Sequence, residues 1–249
     1  MSCSFIFISS ILQDQTMIMK YQHIFFDLDH TLWDFTHNAK QTLAQLYEEY
    51  MLEKKTGIGF DKFYQGYAYH NERLWEAYRL HQISREELQW KRMWLALQEI
   101  NYPDESLAIR MGEDFLKILP RQSQLMPGSK EILDYLKSKN YHLHILTNGF
   151  PEIQELKLQS AGIDKYFDYV ITSAQAGCLK PDLQFFLYAL THTHAHPNES
   201  LMIGDDLEVD IEGARQAGMD QVYFNPPGYP ETSTATYTIT HLEELKQIL

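Results

Sequence analysis

A strand-like run at residues 21–28 is followed, from residue 120 onward, by alternating strand-like and helical segments. Strands are predicted at 141–146, 169–173, 200–204 and 221–224, with an edge strand at 236–240, and helices at 129–138, 151–162, 181–190, 211–217 and 241–249. Repeated alternation of this kind builds a parallel sheet with helices on both faces. The sequence therefore predicts an α/β, doubly wound, Rossmann-like core.

The first strand ends in two acidic residues. The apolar run Ile24-Phe25-Phe26 leads directly into Asp27-x-Asp29-x-Thr31. Side chains two positions apart on a strand point the same way, so these carboxylates repel each other unless a cation lies between them. A metal ion with a phosphoryl group meets that need, with one carboxylate as nucleophile and the other as acid/base.

Further polar residues follow the later strands. They are Thr147 and Asn148, then Lys180, and finally Asp205, Asp206 and Asp210. Open parallel sheets bind ligands at the carboxyl ends of their strands. We therefore expect these side chains to meet Asp27 and Asp29 at one edge of the sheet, where Asp27 and Asp205 can supply oxygen ligands to Mg²⁺.

The segment at 36–119 has a different texture. Apolar residues recur at helical spacing, no strand-like run interrupts them, and Ser84 with Glu87 forms a predicted capping box. This indicates an all-helical cap inserted after the first strand. The predicted domains are a core at 20–35 and 120–249 and a cap at 36–119.

Residues 1–19 fit neither domain. They contain a short apolar run at 5–12, without a basic region before it or a cleavage site after it. The run is too short to span a membrane. We interpret residues 1–19 as a disordered extension or an artefact of the assigned translational start.

Composition limits the partners. The formal net charge of -13 argues against a nucleic-acid partner, because no basic patch stands out. Two cysteines are too few for a disulfide framework, which favours a reducing compartment. We expect a cytoplasmic monomer or weak homodimer that acts on a small phosphorylated metabolite, without nucleic acid or membrane.

The four groups of polar residues, taken in order, resemble the motifs of the haloacid dehalogenase (HAD) superfamily, with the helical insert as a C1-type cap. The resemblance implies Mg²⁺ held by Asp27, Asp205 and the backbone carbonyl of Asp29. It also implies catalytic roles for Asp27 as nucleophile, for Asp29 as acid/base and for Thr147 as a phosphoryl-binding group. Lys180 would neutralise the transferring group and hold Asp27. The backbone N–H groups of Leu28 and Asn148 would bind phosphoryl oxygens. Asp210 would orient Lys180 or a metal-bound water, and Asp206 would lie with it just outside the residues that touch the metal or the substrate.

The cap sequence is rich in aromatic and guanidinium groups at 71–78 and 85–94. With 203–211 and 223–226, this pattern resembles the noncanonical pyrimidine 5′-nucleotidase branch of the superfamily. The resemblance implies nucleoside 5′-monophosphates as substrates, with Trp75, Tyr78 and Arg92 as candidate binding residues. Packing of these aromatic side chains within the cap is the competing interpretation.

Other activities stay open to different degrees. Asp29 disfavours a dehalogenase or a phosphonatase, which have no use for an acid two residues after the nucleophile. A phosphosugar phosphatase or phosphomutase keeps that residue and is the alternative function. A catalytically silent binding scaffold is disfavoured by the intact set of polar residues.

Overall fold

The structure is a computed structural model that describes residues 20–226 and 233–249 of the chain. The extension predicted at residues 1–19 lies outside the described residues. Across the part of the chain that is described, every helix is too short or too polar to cross a membrane.

Six strands in the described ranges form one parallel sheet. They are β1 (His23–Phe26), β2 (His142–Thr147), β3 (Tyr169–Thr172), β4 (Ser200–Gly204), β5 (Asp220–Phe224) and β6 (Tyr237–Ile239). Their spatial order is β3-β2-β1-β4-β5-β6, so the first strand of the chain lies in the middle of the sheet. The predicted doubly wound α/β fold is confirmed.

Strand β1 is buried on both faces. Ile24 and Phe26 pack into one apolar cluster and Phe25 into another, as the alternation of side chains along a strand requires. Phe26 pairs with Ile145 of β2 and with Ile203 of β4. The residue that follows, Asp27, is therefore fixed between two neighbouring strands.

Five helices separate β1 from β2 in the sequence. They are α1 (Phe35–Glu49), α2 (Leu52–Thr56), α3 (Phe60–Arg79), α4 (Arg85–Glu99) and α5 (Glu105–Ile118). Helix α3 packs against α4, and α4 against α5. The predicted capping box at the start of α4 is present, with Ser84 and Glu87 bonded reciprocally. We call residues 35–118 the helical insert.

The other helices flank the sheet. They are α6 (Ser129–Ser138), α7 (Pro151–Ser160), α8 (Ser173–Ala176), α9 (Leu183–Thr193) and α10 (Gly213–Gln216). Short 3₁₀ segments occur at Leu119–Arg121, Asp164–Tyr166, Pro197–Glu199 and Leu242–Gln247, and a π-helix at Leu207–Glu212.

Four of the five helices predicted for the core differ from the observed ones, and the one predicted at 151–162 differs only in ending at Ser160. The helix predicted from residue 181 begins at Leu183, because the side chain of Asp182 accepts the Gln184 N–H and caps it there. The helix predicted from residue 211 is preceded by a π-helix that Asp206 caps. The helix predicted at 241–249 is a shorter 3₁₀ helix, Leu242–Gln247.

The two connections between the insert and the sheet run side by side. Trp33 and Leu125 form an antiparallel bridge, and the Asp34 N–H donates to the Gln124 carbonyl. The buried side chain of Asn38 donates to the same carbonyl at 2.8 Å and accepts the Gln124 N–H at 3.2 Å. The insert is therefore joined to the core by a hydrogen-bonded pair of segments.

Candidate active site

Asp27 occupies the centre of the carboxyl edge of the sheet. Its N–H donates to the Ile203 carbonyl of β4 at 2.9 Å, which holds the backbone in line with β1. One oxygen of its carboxylate accepts a hydrogen bond from Lys180 Nζ at 2.7 Å. Burial, opposed by Lys180, raises the pKa of Asp27 to about 7.

Lys180 is buried, with 1% of its side chain exposed. Its Nζ donates to Asp27 at 2.7 Å, to Asp210 at 2.6 Å and to the Leu146 carbonyl at 2.7 Å. These three acceptors use all the protons that a lysine ammonium carries. Burial lowers the pKa of Lys180, but the charges of Asp210 and Asp27 outweigh burial and raise it overall.

Asp205 follows β4 beside Asp27. It accepts a hydrogen bond from Thr31 Oγ1 at 3.0 Å, so the threonine of the first motif holds an aspartate of the last one. Burial and the nearby charges of Asp27 and Asp210 raise the pKa of Asp205 well above its ordinary value.

One group in the described ranges could hold a metal ion by this geometry. It consists of Asp27, Asp205 and Asp210, which place one oxygen each within 4.8 Å of one another. Lys180 pairs with Asp27 and Asp210 but not with Asp205. Burial first, and then the charges of the neighbouring carboxylates, raise the pKa values of Asp27 and Asp205. Hard oxygen donors in such a cluster suit Mg²⁺.

Asp210 and Asp206 meet at the start of the π-helix. Asp206 accepts the N–H groups of Glu208 and Val209, both at 2.9 Å, and so caps that helix. The Asp210 carboxylate accepts a hydrogen bond from Lys180. Residue 204 must be glycine for Asp210 to fit, because a Cβ at that position would lie 2.3 Å from Asp210 Oδ2.

Thr147 and Asn148 follow β2. The hydroxyl oxygen of Thr147 accepts the Gly149 N–H at 3.0 Å. The amide of Asn148 donates to the Lys180 carbonyl at 2.9 Å and accepts the Lys180 N–H at 2.8 Å. Asn148 thus fixes the backbone that carries the buried lysine.

Asp29 lies apart from the three clustered carboxylates and contacts α7. Lys157 Nζ donates to its two oxygens at 2.6 and 2.8 Å, and Gln154 Nε2 donates to Oδ2 at 2.9 Å. Burial raises the pKa of Asp29, but Lys157 and Gln154 outweigh burial and lower it overall.

The sequence motifs did not point to Lys157 and Gln154. Both are buried, although lysine and glutamine in a helix are ordinarily exposed. Their spacing of three residues places them on one face of α7, directly after Thr147-Asn148-Gly149. That polar pair on a helix following the second motif is the signal by which they could have been found.

The candidate binding residues of the insert lie in two places. Trp75 stacks on Phe150 with ring centroids 5.9 Å apart, and Tyr78 meets the same ring edge-on at 6.2 Å. Phe150 directly follows Gly149 of the second motif. Trp75 and Tyr78 therefore contact the core beside the site.

Arg92 is buried inside the insert. Its guanidinium lies over the Phe115 ring at 4.7 Å and donates to Asn71 Oδ1 at 3.3 Å, while its Nε has no hydrogen-bond partner. None of the ion pairs in the described ranges includes Arg92. Burial lowers the pKa of Lys157, and the charge of Arg92 adds to that shift, against the opposing charges of Asp29 and Asp27.

Comparison with known proteins adds a family to this geometry. The model of the haloacid dehalogenase-like hydrolase family matches residues 21–218. The chain is 31% identical to pyrimidine 5′-nucleotidase PynA of Streptococcus pneumoniae over 93% of this chain and 96% of that protein. It is 32% identical to pyrimidine 5′-nucleotidase YjjG of Escherichia coli over 93% of this chain and 99% of that protein.

A solved structure agrees with the fold. The magnesium-bound HAD-hydrolase YfnB of Bacillus subtilis superposes with a TM-score of 0.82 at 28% identity and covers 92% of this chain and 99% of that one. The resemblance inferred from the four motifs, including the pyrimidine 5′-nucleotidase branch, is thereby confirmed.

Proposed function

Because the chain belongs to the haloacid dehalogenase-like hydrolase family and is a phosphatase of it, we propose that it hydrolyses nucleoside 5′-monophosphates, pyrimidine nucleotides foremost, with Mg²⁺. The observation that carries the proposal is the Asp27 carboxylate, held at 2.7 Å by Lys180 at the centre of the sheet edge. The pyrimidine 5′-nucleotidases PynA and YjjG support the substrate class.

Mg²⁺ would be held by Asp27 and Asp205, with the Asp29 backbone carbonyl as a third ligand by resemblance to the family. Asp210, the third member of the carboxylate cluster, is occupied by Lys180 at 2.6 Å, which favours a supporting role. When bound, the ion supplies the positive charge that lets a carboxylate approach a phosphate dianion.

Asp27 acts as the nucleophile in this proposal. Its free oxygen forms a bond to phosphorus while the ester bond to the leaving oxygen breaks, giving an aspartyl-phosphate. Lys180 fixes the other oxygen and offsets the negative charge of the transferring group. Thr147 and the N–H groups of Leu28 and Asn148 would bind the phosphoryl oxygens.

Asp29 acts as the acid and then as the base. In its protonated form it gives the proton to the leaving alkoxide, and the carboxylate so formed then takes a proton from the water that attacks the aspartyl-phosphate. Phosphate leaves and Asp27 is regenerated. In the structure Lys157 stabilises the carboxylate form of Asp29, which is the form that the second step uses.

The helical insert, our proposed cap, would bind the nucleoside. The Arg92 guanidinium, buried and without an acidic partner among the described residues, can donate to a base carbonyl. Trp75 and Tyr78 offer aromatic surface beside Phe150.

The test is a phosphate-release screen of the purified protein with UMP, CMP, AMP, sugar phosphates and p-nitrophenyl phosphate, with Mg²⁺ or with EDTA. We expect release that requires Mg²⁺ and is fastest with pyrimidine nucleotides. Asp27→Asn should lower turnover more than 1,000-fold, on the order of a lost nucleophile, with an unchanged circular dichroism spectrum.

Two results would contradict parts of the proposal. Faster turnover of sugar phosphates than of any nucleotide would replace the substrate class, and retention of the phosphoryl group on a second sugar hydroxyl would indicate a mutase. Asp27→Asn turnover within tenfold of wild type would remove Asp27 from the nucleophile role.

A further inference from the structure

We propose that Lys157 and Gln154 are positioning residues for Asp29. We also propose that loss of either residue slows hydrolysis more when the leaving group of the substrate is more basic. This inference rests on the acid/base role proposed above for Asp29. Neither residue belongs to the four motifs, and both come from helix α7.

The contacts leave the Asp29 carboxylate one orientation. Lys157 Nζ lies 2.6 Å from Oδ1 and 2.8 Å from Oδ2, and Gln154 Nε2 lies 2.9 Å from Oδ2. Two donors from successive turns of one helix thus fix both the direction and the plane of the carboxylate. Proton transfer needs such alignment with the leaving oxygen.

The burial of Lys157 indicates that this pair is more than a surface ion pair. Only 4% of the lysine side chain is exposed, against 27% of the Asp29 side chain. The ammonium lies 4.4 Å from the centre of the Trp33 ring and 5.6 Å from that of Phe35. Burying a cation in this way is costly, so its retention is explained better by a function than by stability.

The rings of Trp33 and Phe35 also restrict the position of the Lys157 ammonium. Trp33 is fully buried, and its backbone forms a bridge with Asp29. The same short loop therefore carries both the Asp29 carboxylate and the Trp33 ring that the Lys157 ammonium contacts. Asp29, Trp33 and Lys157 form one packed unit.

Gln154 joins this unit to the phosphate-binding motif. Its Nε2 donates to Thr147 Oγ1 at 2.7 Å as well as to Asp29. The room for this amide exists because residue 149 is glycine, since a Cβ there would lie 2.0 Å from Gln154 Nε2. Asp29 is thereby fixed relative to Thr147, a residue proposed to hold the phosphoryl group.

The chemical consequence depends on the substrate. A good leaving group such as p-nitrophenolate departs without a proton, whereas a more basic one needs the acid as the bond breaks. Loss of the alignment of Asp29 should therefore slow the hydrolysis of phenyl phosphate far more than that of p-nitrophenyl phosphate. A merely structural defect slows both esters alike.

The experiment compares kcat/KM for these two esters in the Mg²⁺-loaded wild type, in Lys157→Met, in Gln154→Ala and in Lys62→Met, a control on the exposed face of α3. We expect Lys157→Met to lose about 100-fold with phenyl phosphate and less than about threefold with p-nitrophenyl phosphate. Gln154→Ala should show a smaller loss with the same preference, and Lys62→Met no change.

Equal losses with both esters in Lys157→Met would overturn the inference and leave the proposed function standing. If Lys157→Met does not fold, Gln154→Ala decides by the same ratio. A wild-type protein that hydrolyses neither these esters nor any nucleotide or sugar phosphate of the screen would overturn the proposed function, and this inference with it.

Discussion

Lys180 shows how one side chain can organise a site in an acidic protein. The chain has a formal net charge of -13, so its overall field does not attract phosphate esters. Lys180 places one buried positive charge between Asp27 and Asp210, and Asn148 holds its backbone. Lys180 offsets part of the negative charge of the carboxylate cluster, and a bound Mg²⁺ would supply the rest of the positive charge that a phosphate ester needs.

A second titratable cluster lies at the opposite edge of the sheet. His144 is buried, its Nε2 lies 3.1 Å from His23 Nδ1, and its own Nδ1 has no partner. The His142 ring stacks on His23 at 5.0 Å, and Asp168 and Lys137 lie nearby. Burial and the charges of His23 and His142 lower the pKa of His144 to about 3, although the charge of Asp168 opposes this shift.

This arrangement predicts a loss of stability in mild acid. Below about pH 6.5 the unfolded chain binds a proton at His144 that the folded chain does not bind until about pH 3, so folding weakens as pH falls through this window. Relative to wild type, His144→Phe should therefore gain about 1–2 kcal/mol in free energy of unfolding between pH 7.5 and pH 5.

Urea unfolding at the two pH values measures this difference. His37→Gln, a change at an exposed histidine of α1, serves as the control and should show no such gain. A His144→Phe effect of the same size at both pH values would contradict the prediction.

At the scale of elements, the paired connections of the helical insert predict a stability effect. Asn38→Ala removes the two hydrogen bonds of 2.8 and 3.2 Å to Gln124. The Gln124 N–H then loses its acceptor, whereas the Gln124 carbonyl still accepts the Asp34 N–H. We expect a loss of about 1–3 kcal/mol in the free energy of unfolding. Gln45→Ala, which removes an exposed bond within the same helix, should cost less than about 0.5 kcal/mol.

Denaturant unfolding of both variants measures the two costs. Similar values for Asn38→Ala and Gln45→Ala would mean that the paired connections add nothing to stability. A cost confined to Asn38→Ala would mark them as a structural joint between the insert and the sheet.

The elements show what a sequence pattern can and cannot predict. Strand β4 and helix α6 have the predicted bounds, because glycine, proline and apolar periodicity mark their ends locally. The carboxylate cluster followed from topology, which brings the ends of parallel strands together. Lys157 and Gln154 were missed because their burial depends on Trp33 and Asp29, which are distant in sequence.

Helix α9 and the π-helix mark a second limit. Their starts are set by the side chains of Asp182 and Asp206, which bond to backbone N–H groups two or three residues ahead. The spacing of apolar residues carries no information about such bonds, so the predicted first residues of these two helices differ from the observed ones. Local hydrogen bonding, rather than burial, determined these bounds.

For the molecule as a whole, the carboxylate cluster predicts stabilisation by Mg²⁺. An ion that binds Asp27 and Asp205 in the folded chain and not in the unfolded chain favours folding. We expect about 1–3 kcal/mol at a concentration 10–100 times the dissociation constant, seen as a rise in Tm. NaCl at equal ionic strength should not reproduce it.

Asp205→Asn tests whether this cluster is responsible. The variant should lose most of the Mg²⁺-dependent rise in Tm, whatever its own Tm in EDTA. A rise equal to that of wild type would place the ion elsewhere in the molecule.

The central position of β1 also has a consequence for synthesis on the ribosome. β1 is translated before both its neighbours, β2 from His142 and β4 from Ser200, with the helical insert made in between. At about 5–20 residues per second, β4 follows β1 by roughly 10–35 s. Until β2 has been made, the nascent chain holds an apolar strand without either partner strand, and until β4 has been made one edge of that strand stays unpaired. We therefore expect nascent-chain chaperones to engage residues 23–28, and the nucleophile to reach its final position late.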